Sequence, residues 1–264
     1  MNPYIKLPRV PLVYGRQDFI VNRCKGRRIL HLGCADSGLL HDRFERGDLT
    51  HQKLAAVSKE LWGVDLDEKG IEYLRHQGFD HLLVGDICSL DTLELLRART
   101  FDTIVASEVI EHLKNPGLFL DGVRKLMIPG ETELIVTVPN AFRIDTLFWL
   151  FRGVELVHPD HYYWFSYYTA RHFLEMGGLM VGEVFVYSFN PKRILTWRTR
   201  ASDKRIGKES GTSHGTARIS ERRSFFEKVS GCFWTVLKRL LSSLLLRKTP
   251  FWGDGIILVA RRPR

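Results

Sequence analysis

The stretch Arg28-Ile-Leu-His-Leu-Gly-Cys-Ala-Asp-Ser-Gly38 decides how the rest of the chain is read. A short apolar run stops abruptly in small residues, with His31 inside the run and Asp36 just beyond it. Small residues at such a bend let backbone approach a ligand, or let a strand and the following helix pack closely. Taken alone, the turn leaves both readings open. The next strand tips the balance, because Gly63-Val-Asp65-Leu-Asp67 puts a carboxylate at its tip, where a ribose diol lies in a nucleotide-binding α/β sheet.

Outward from that turn, residues 17–140 alternate short apolar runs with longer helical stretches, the signature of βαβ units around a parallel sheet. Strands are expected near 28–33, 61–65, 81–85, 101–106 and 132–138, with helices near 16–24, 38–59, 68–77, 91–98 and 116–127. Strands this apolar are covered on both faces, which predicts a doubly wound α/β fold. A further helix is expected at 168–177, with Thr169 as N-cap and Gly177-Gly178 as its stop. Strands near 181–189 and 255–261 would then form an antiparallel hairpin pair at the sheet edge, with residues 190–253 inserted between them.

With 264 residues, 44% of them hydrophobic and 26% charged, the chain can bury a full core, and disorder of the whole chain is excluded. A single domain is expected, with a core at 25–140, a substrate lid at 141–180, a basic insertion at 191–253 and a final strand at 255–261. Cys24, Cys34, Cys88 and Cys232 show no paired spacing and no signal segment opens the chain, which points to a reducing, cytoplasmic setting.

The formal net charge of +9 is unevenly spread. Residues 191–264 hold 18 of the 39 Lys and Arg but 5 of the 30 Asp and Glu, a net of +13, which leaves the body at −4. Whatever anionic partner the basic segment attracts is separable from the chemistry of the body. Within it, residues 223–247 place Phe225, Phe226, Val229, Phe233 and several leucines at helical spacing among lysines and arginines. Such a helix either packs on the sheet or lies on an anionic membrane surface, the inner face in a cytoplasmic protein. It lacks the interleaved aromatics of a nucleic-acid platform.

In order along the chain come Leu32-Gly-Cys-Ala-Asp36, Gly63-Val-Asp65, Gly85-Asp86-Ile87, Ala106-Ser-Glu-Val-Ile-Glu-His-Leu113 and Val138-Pro-Asn140. In this succession the chain resembles the class I S-adenosylmethionine-dependent methyltransferases, over roughly residues 25–190 and the last strand. The resemblance implies a Rossmann-like, seven-stranded sheet whose last strand is antiparallel, and S-adenosylmethionine as cofactor, left as S-adenosylhomocysteine. It further implies that Asp65 accepts from the ribose hydroxyls and Asp86 from the adenine amino group, with Ile87 beside it. Gly33, Cys34 and Ala35 would line the methionine moiety, and Leu66 and Ser107 complete the expected cofactor set. Where the family usually carries an acid, this chain has His31, and Asp36 is the substitute expected to meet the methionine ammonium. The same histidine and Cys-Ala-Asp run resembles a sub-group acting in polysaccharide and natural-product pathways.

Catalytic candidates follow the fourth strand and lie in the lid. Glu108 and His112 are four apart and would share a helical face, with His112 as a general base. His158-Pro-Asp-His161-Tyr-Tyr-Trp-Phe-Ser166 concentrates imidazoles, a carboxylate and rings that could shape an apolar or sugar-stacking wall. His158 or His161 could deprotonate an acceptor, or, with Asp160 and Glu111, hold a divalent ion. No Cys/His spacing typical of zinc is present, so no metal site is expected. The expected activity is O-methylation of a small-molecule or glycan- or lipid-linked acceptor. Rival readings are a nicotinamide-dependent oxidoreductase and a non-catalytic protein docking through its basic segment.

Overall fold

The computed structural model describes residues 4–36, 38–188 and 250–264. The expected helix at 223–247 lies outside the described residues. In chain order the elements are β1 (Leu12–Tyr14), α1 (Arg16–Arg23), β2 (Arg28–Leu32), α2 (Leu40–Glu45), α3 (Thr50–Ala55), β3 (Glu60–Asp65), α4 (Glu68–His76) and β4 (Leu82–Val84). After a 3-10 segment at Ile87–Thr92 come α5 (Glu94–Arg97), β5 (Thr103–Ser107), a 3-10 turn at Ile110–His112, α6 (Pro116–Leu126) and β6 (Glu133–Pro139). The lid carries α7 (Ile144–Leu150), and α8 (Tyr167–Met176), β7 (Met180–Ser188) and β8 (Gly255–Arg261) complete the fold.

One sheet runs in the order β1-β7-β8-β6-β5-β2-β3-β4. Every pairing is parallel except those of β8, which is antiparallel to both β6 and β7. The Rossmann-like architecture with an antiparallel last strand therefore stands, with an eighth strand added. The expected antiparallel pairing of β7 with β8 holds, but its place at the edge is corrected: β8 lies inside the sheet and β1 forms the edge beyond β7. Pairing β8 on both sides satisfies the backbone groups of a strand buried over six of its seven residues.

The period of two sorts the strands into two cores. Ile104, Ala106, Leu134, Val136, Leu258 and Ala260 pack on one face with α6 and α8. Val105, Ile135, Ile257 and Val259 alternate with them and pack on the other face against Ile20 of α1 and its C-cap Cys24. A sheet buried on both faces is what its near-continuous apolar strands require.

Two helix expectations change for local reasons. The stretch expected to be one helix at 38–59 is α2 and α3, broken where Gly47 adopts φ +65°. The N-cap of α8 is Ser166, not Thr169: Ser166 Oγ accepts the Thr169 N–H at 3.2 Å while Thr169 Oγ1 accepts the Ser166 N–H at 2.8 Å, a reciprocal capping box. No helix among the described residues is long and apolar enough to cross a membrane.

Strand order reverses between β2 and β5, since β3 and β4 extend one way and β6 the other. Ligands in open α/β sheets bind at the carboxyl ends of strands at such a switch. A cavity of ≈ 880 Å³ opens there.

Candidate active site

The floor of the cleft is the turn after β2. Gly33 takes φ +73°, and a Cβ on it would meet Val109 Cγ2 at 2.6 Å, so only glycine passes. Its N–H donates to the Val64 carbonyl at 2.9 Å, which ties the turn to β3. The tie is completed by Asp65, whose Oδ2 accepts the Ala35 N–H at 2.8 Å and whose Oδ1 accepts the Asp67 N–H at 3.0 Å. Each oxygen keeps a lone pair, so the carboxylate can hold the turn and still receive two hydroxyl donors. Burial pushes the Asp65 carboxyl up, and these amide donors pull it back. Capping of α4 falls instead to Asp67, which accepts from Gly70 N–H at 3.1 Å.

Gly33, Cys34, Asp36, Asp65 and Leu66 line the cleft, as do Asp86, Ile87 and Ser107 from the neighbouring strand ends. Ala35 does not line it. Its methyl turns onto Gly70 of α4 and its amide is taken by Asp65. Asp86 accepts the Cys88 N–H at 2.8 Å through Oδ1, which fixes the following turn and leaves Oδ2 for a ligand. Asp36, at φ +52°, forms an ion pair with Arg43 at the cleft wall. His31, where an acid was usual, turns to His51, their Nδ1 atoms 3.2 Å apart. Burial lowers both imidazoles below their ordinary range, which keeps this pair neutral.

Glu108 is not on a helix with His112. It sits at φ +56° before the 3-10 turn, with its carboxylate held by Arg16 at 3.0 Å, Thr137 Oγ1 at 3.0 Å and Tyr187 Oη at 3.1 Å. Arg16 and Tyr187 line the cleft too and were missed by sequence spacing, since they come from distant segments, α1 and β7. Glu111 is 1% exposed and neither of its carboxyl oxygens meets a hydrogen-bond donor among the described residues. Burial, with Glu108 adding to it, holds this carboxyl well above the carboxylate range.

The segment after β6 brings His158 and His161 to His112, so that the three candidate bases stand together. The His112 and His161 rings lie 4.5 Å apart, His112 and His158 5.6 Å, and His158 and His161 5.3 Å. Burial lowers His112 and His161, and neighbouring histidines add to that, so these imidazoles are neutral near pH 7 with a lone pair available. Backbone ties hold the lid in place: the Tyr162 N–H donates to the Glu111 carbonyl at 2.8 Å and the Ala141 N–H to the Phe165 carbonyl at 2.8 Å.

The carboxylates Asp65 and Asp86 and the three histidines thus line one cleft. Residues 18–184 match the family model described as "Methyltransferase domain". The chain belongs to the class I S-adenosylmethionine-dependent methyltransferase family. The chain is 28% identical over 176 residues to the mitochondrial ubiquinone biosynthesis O-methyltransferase of Homo sapiens, covering 63% of the chain and 45% of that relative. To the ubiquinone biosynthesis O-methyltransferase of Nitrobacter winogradskyi it is 29% identical over 193 residues, covering 67% of the chain and 66% of that relative. The match therefore spans from about half to two thirds of these curated relatives. A solved S-adenosylmethionine-dependent methyltransferase from Archaeoglobus fulgidus shares the fold, with a TM-score of 0.50 and 18% identity over 94% of this chain and 95% of that one.

The chain's own residues fit the family's cofactor. The Gly33 turn admits backbone close to a ligand, and Asp65 and Asp86 each present carboxylate lone pairs at the ends of β3 and β4. A nicotinamide-dependent reading loses its ground with the family assignment.

Proposed function

We propose that the chain transfers the methyl group of S-adenosylmethionine to a hydroxyl oxygen of a small-molecule, glycan or lipid-linked acceptor. The observation that carries this reading is the single cleft with Asp65 and Asp86 at one end and His112, His158 and His161 at the other. The nucleoside end orients the donor: Asp65 takes the ribose hydroxyls, Asp86 the adenine amino group, and Gly33 and Cys34 lie along the methionine portion.

The sulfonium methyl is already activated by its positive leaving group, so alignment and proton removal carry the reaction. A hydroxyl acceptor loses its proton at the histidine end, with His112, His158 and His161 as the candidate bases. The oxygen lone pair forms the new bond to the methyl carbon while the carbon–sulfur pair returns to sulfur, leaving a thioether. Tyr163 and Trp164 line the same end and give the acceptor an apolar or sugar-stacking wall. Transfer to oxygen is supported by the relatives named O-methyltransferases. Attachment to the inner membrane face through residues 223–247 belongs to the same proposal, motivated by the net +13 of residues 191–264.

Incubation with methyl-labelled S-adenosylmethionine and a panel of phenol, sugar and polyprenol-linked hydroxyl acceptors tests the reading. Labelled ether product with matching thioether release is expected. Tight cofactor binding with no transfer to any extract fraction would return the chain to the non-catalytic reading.

A further inference from the structure

We propose that His112, His158 and His161 form a binding site for one divalent transition-metal ion, zinc or a zinc-like ion, at the acceptor end of the cleft. One ligating atom from each of the three lies within 4.8 Å of the others. Nitrogens bound to one tetrahedral zinc stand about 3.3 Å apart, given zinc–nitrogen bonds of about 2.0–2.1 Å, so ligation draws the three nitrogens somewhat closer together. Three imidazoles and no carboxylate in that set favour zinc, cobalt, nickel or copper over magnesium or calcium, which take oxygen ligands.

The surroundings have the form of a ligand shell. His112 stands on the 3-10 turn after β5 and its ring makes a hydrogen bond to the backbone of Asp160, the outer contact that fixes the tautomer of a metal-binding histidine. His158 and His161 are spaced three apart on the lid, and the His161 N–H donates to the His158 carbonyl at 3.1 Å. The Asp160 carboxylate lies 3.7 Å from His158 Nδ1, beyond hydrogen-bond distance. His158 Nδ1 accepts the Asp160 N–H at 3.3 Å, an exposed bond that ligation can replace.

Three protein nitrogens leave a fourth tetrahedral position open, the form of a catalytic rather than a structural site. When filled, such a site supplies a Lewis acid that lowers the pKa of a hydroxyl ligand. On the proposed methyl-transfer reading, on which this consequence rests, the trio then acts on the acceptor proton through the ion instead of taking it. The acceptor class is narrowed to hydroxyls that can bind a metal, phenols and vicinal diols first.

The site is tested on the full chain, stripped with a chelator and titrated with zinc chloride by calorimetry and with cobalt chloride by visible absorption. One ion per chain is expected, with the intense visible bands of four-coordinate cobalt. His158→Ala and His161→Ala should each weaken zinc by at least about 10-fold and remove the cobalt bands. His158 is 56% exposed, so its replacement leaves the fold intact, and S-adenosylmethionine binding by the same samples reports that fold. Zinc binding equal in wild type and the double variant, or no zinc binding in a chain that still takes the cofactor, overturns the site. Histidine-dependent zinc binding without any methyl transfer leaves the site standing and removes the catalytic reading alone.

Discussion

The Arg16 guanidinium meets the Glu108 carboxylate at 3.0 Å in the cleft wall, and the Tyr187 hydroxyl donates to the same carboxylate at 3.1 Å. The pair joins the first turn of α1 to the tip of β5, with β7 supplying the tyrosine. Glu108 holds a positive φ of 56°, and its three side-chain partners secure that conformation. Burial weakens the Arg16 charge, and Glu108 more than restores it.

Removing one member leaves a charge half-buried without its partner. Arg16→Met is expected to cost about 2 kcal/mol, below the usual penalty for a fully buried pair because both side chains keep some solvent contact. Combining Arg16→Met with Glu108→Gln should recover part of that loss. Urea denaturation of the two singles and the double measures it, and a double no more stable than predicted by simple addition would mean that the two residues act separately.

Asp65→Ala is expected to weaken S-adenosylmethionine binding by roughly 100-fold and Asp65→Asn by roughly 10-fold, the range spanned by losing one or two charge-assisted hydrogen bonds. The alanine variant also releases the Ala35 amide that Asp65 holds at 2.8 Å, so the turn itself loosens. Calorimetric titration with the donor and its demethylated product separates these effects from folding, which thermal melting follows. Unchanged affinity in both variants would remove the ribose role.

Gly33→Ala probes the same turn from the other side. The added methyl meets Val109 Cγ2 at 2.6 Å on a backbone at φ +73°, so strain and overlap act together. A loss of about 1–3 kcal/mol in stability is expected, with cofactor affinity falling too. Gly33→Ala combined with Val109→Ala should regain part of the stability, because the overlap is relieved while the backbone strain stays. Equal stability of the single and double variants would show that packing against Val109 is not what selects glycine.

The parts of the fold legible in the sequence are those set by local pattern. Apolar runs marked β2 to β6, and their small or acidic ends marked Gly33, Asp65 and Asp86. What was not legible depends on contacts between distant segments. The insertion of β8 between β6 and β7 follows from two-sided backbone pairing, which no periodicity reports. Gly47 was visible, but a glycine also occurs inside helices, and its positive φ is not written in the residue type. His112 and the His158/His161 pair lie in different segments, so a spacing search for ligands could not join them. Arg16 read as an ordinary helical residue until β5 and β7 placed Glu108 and Tyr187 against it.

Away from the cleft, Glu133 at the start of β6 is 2% exposed and is met by Arg27 at 2.7 Å, Arg23 at 3.0 Å and Arg261 of β8. Burial alone would raise this carboxyl, but the guanidiniums outweigh it and bring it down to about 2. A carboxyl depressed in the folded state contributes stability above its unfolded value of about 4.3 and loses that contribution as pH falls toward the folded value. Glu133→Gln removes the negative charge that neutralises these arginines, so about 2 kcal/mol of stability is expected to go at pH 7, discounted for the arginines' partial exposure. The gap between wild type and variant should narrow as pH falls from 4 toward 2, while cofactor affinity at pH 7 stays unchanged. Urea midpoints across that window decide it: a gap that stays constant down to pH 2 would mean that Glu133 is held by shape and not by its charge.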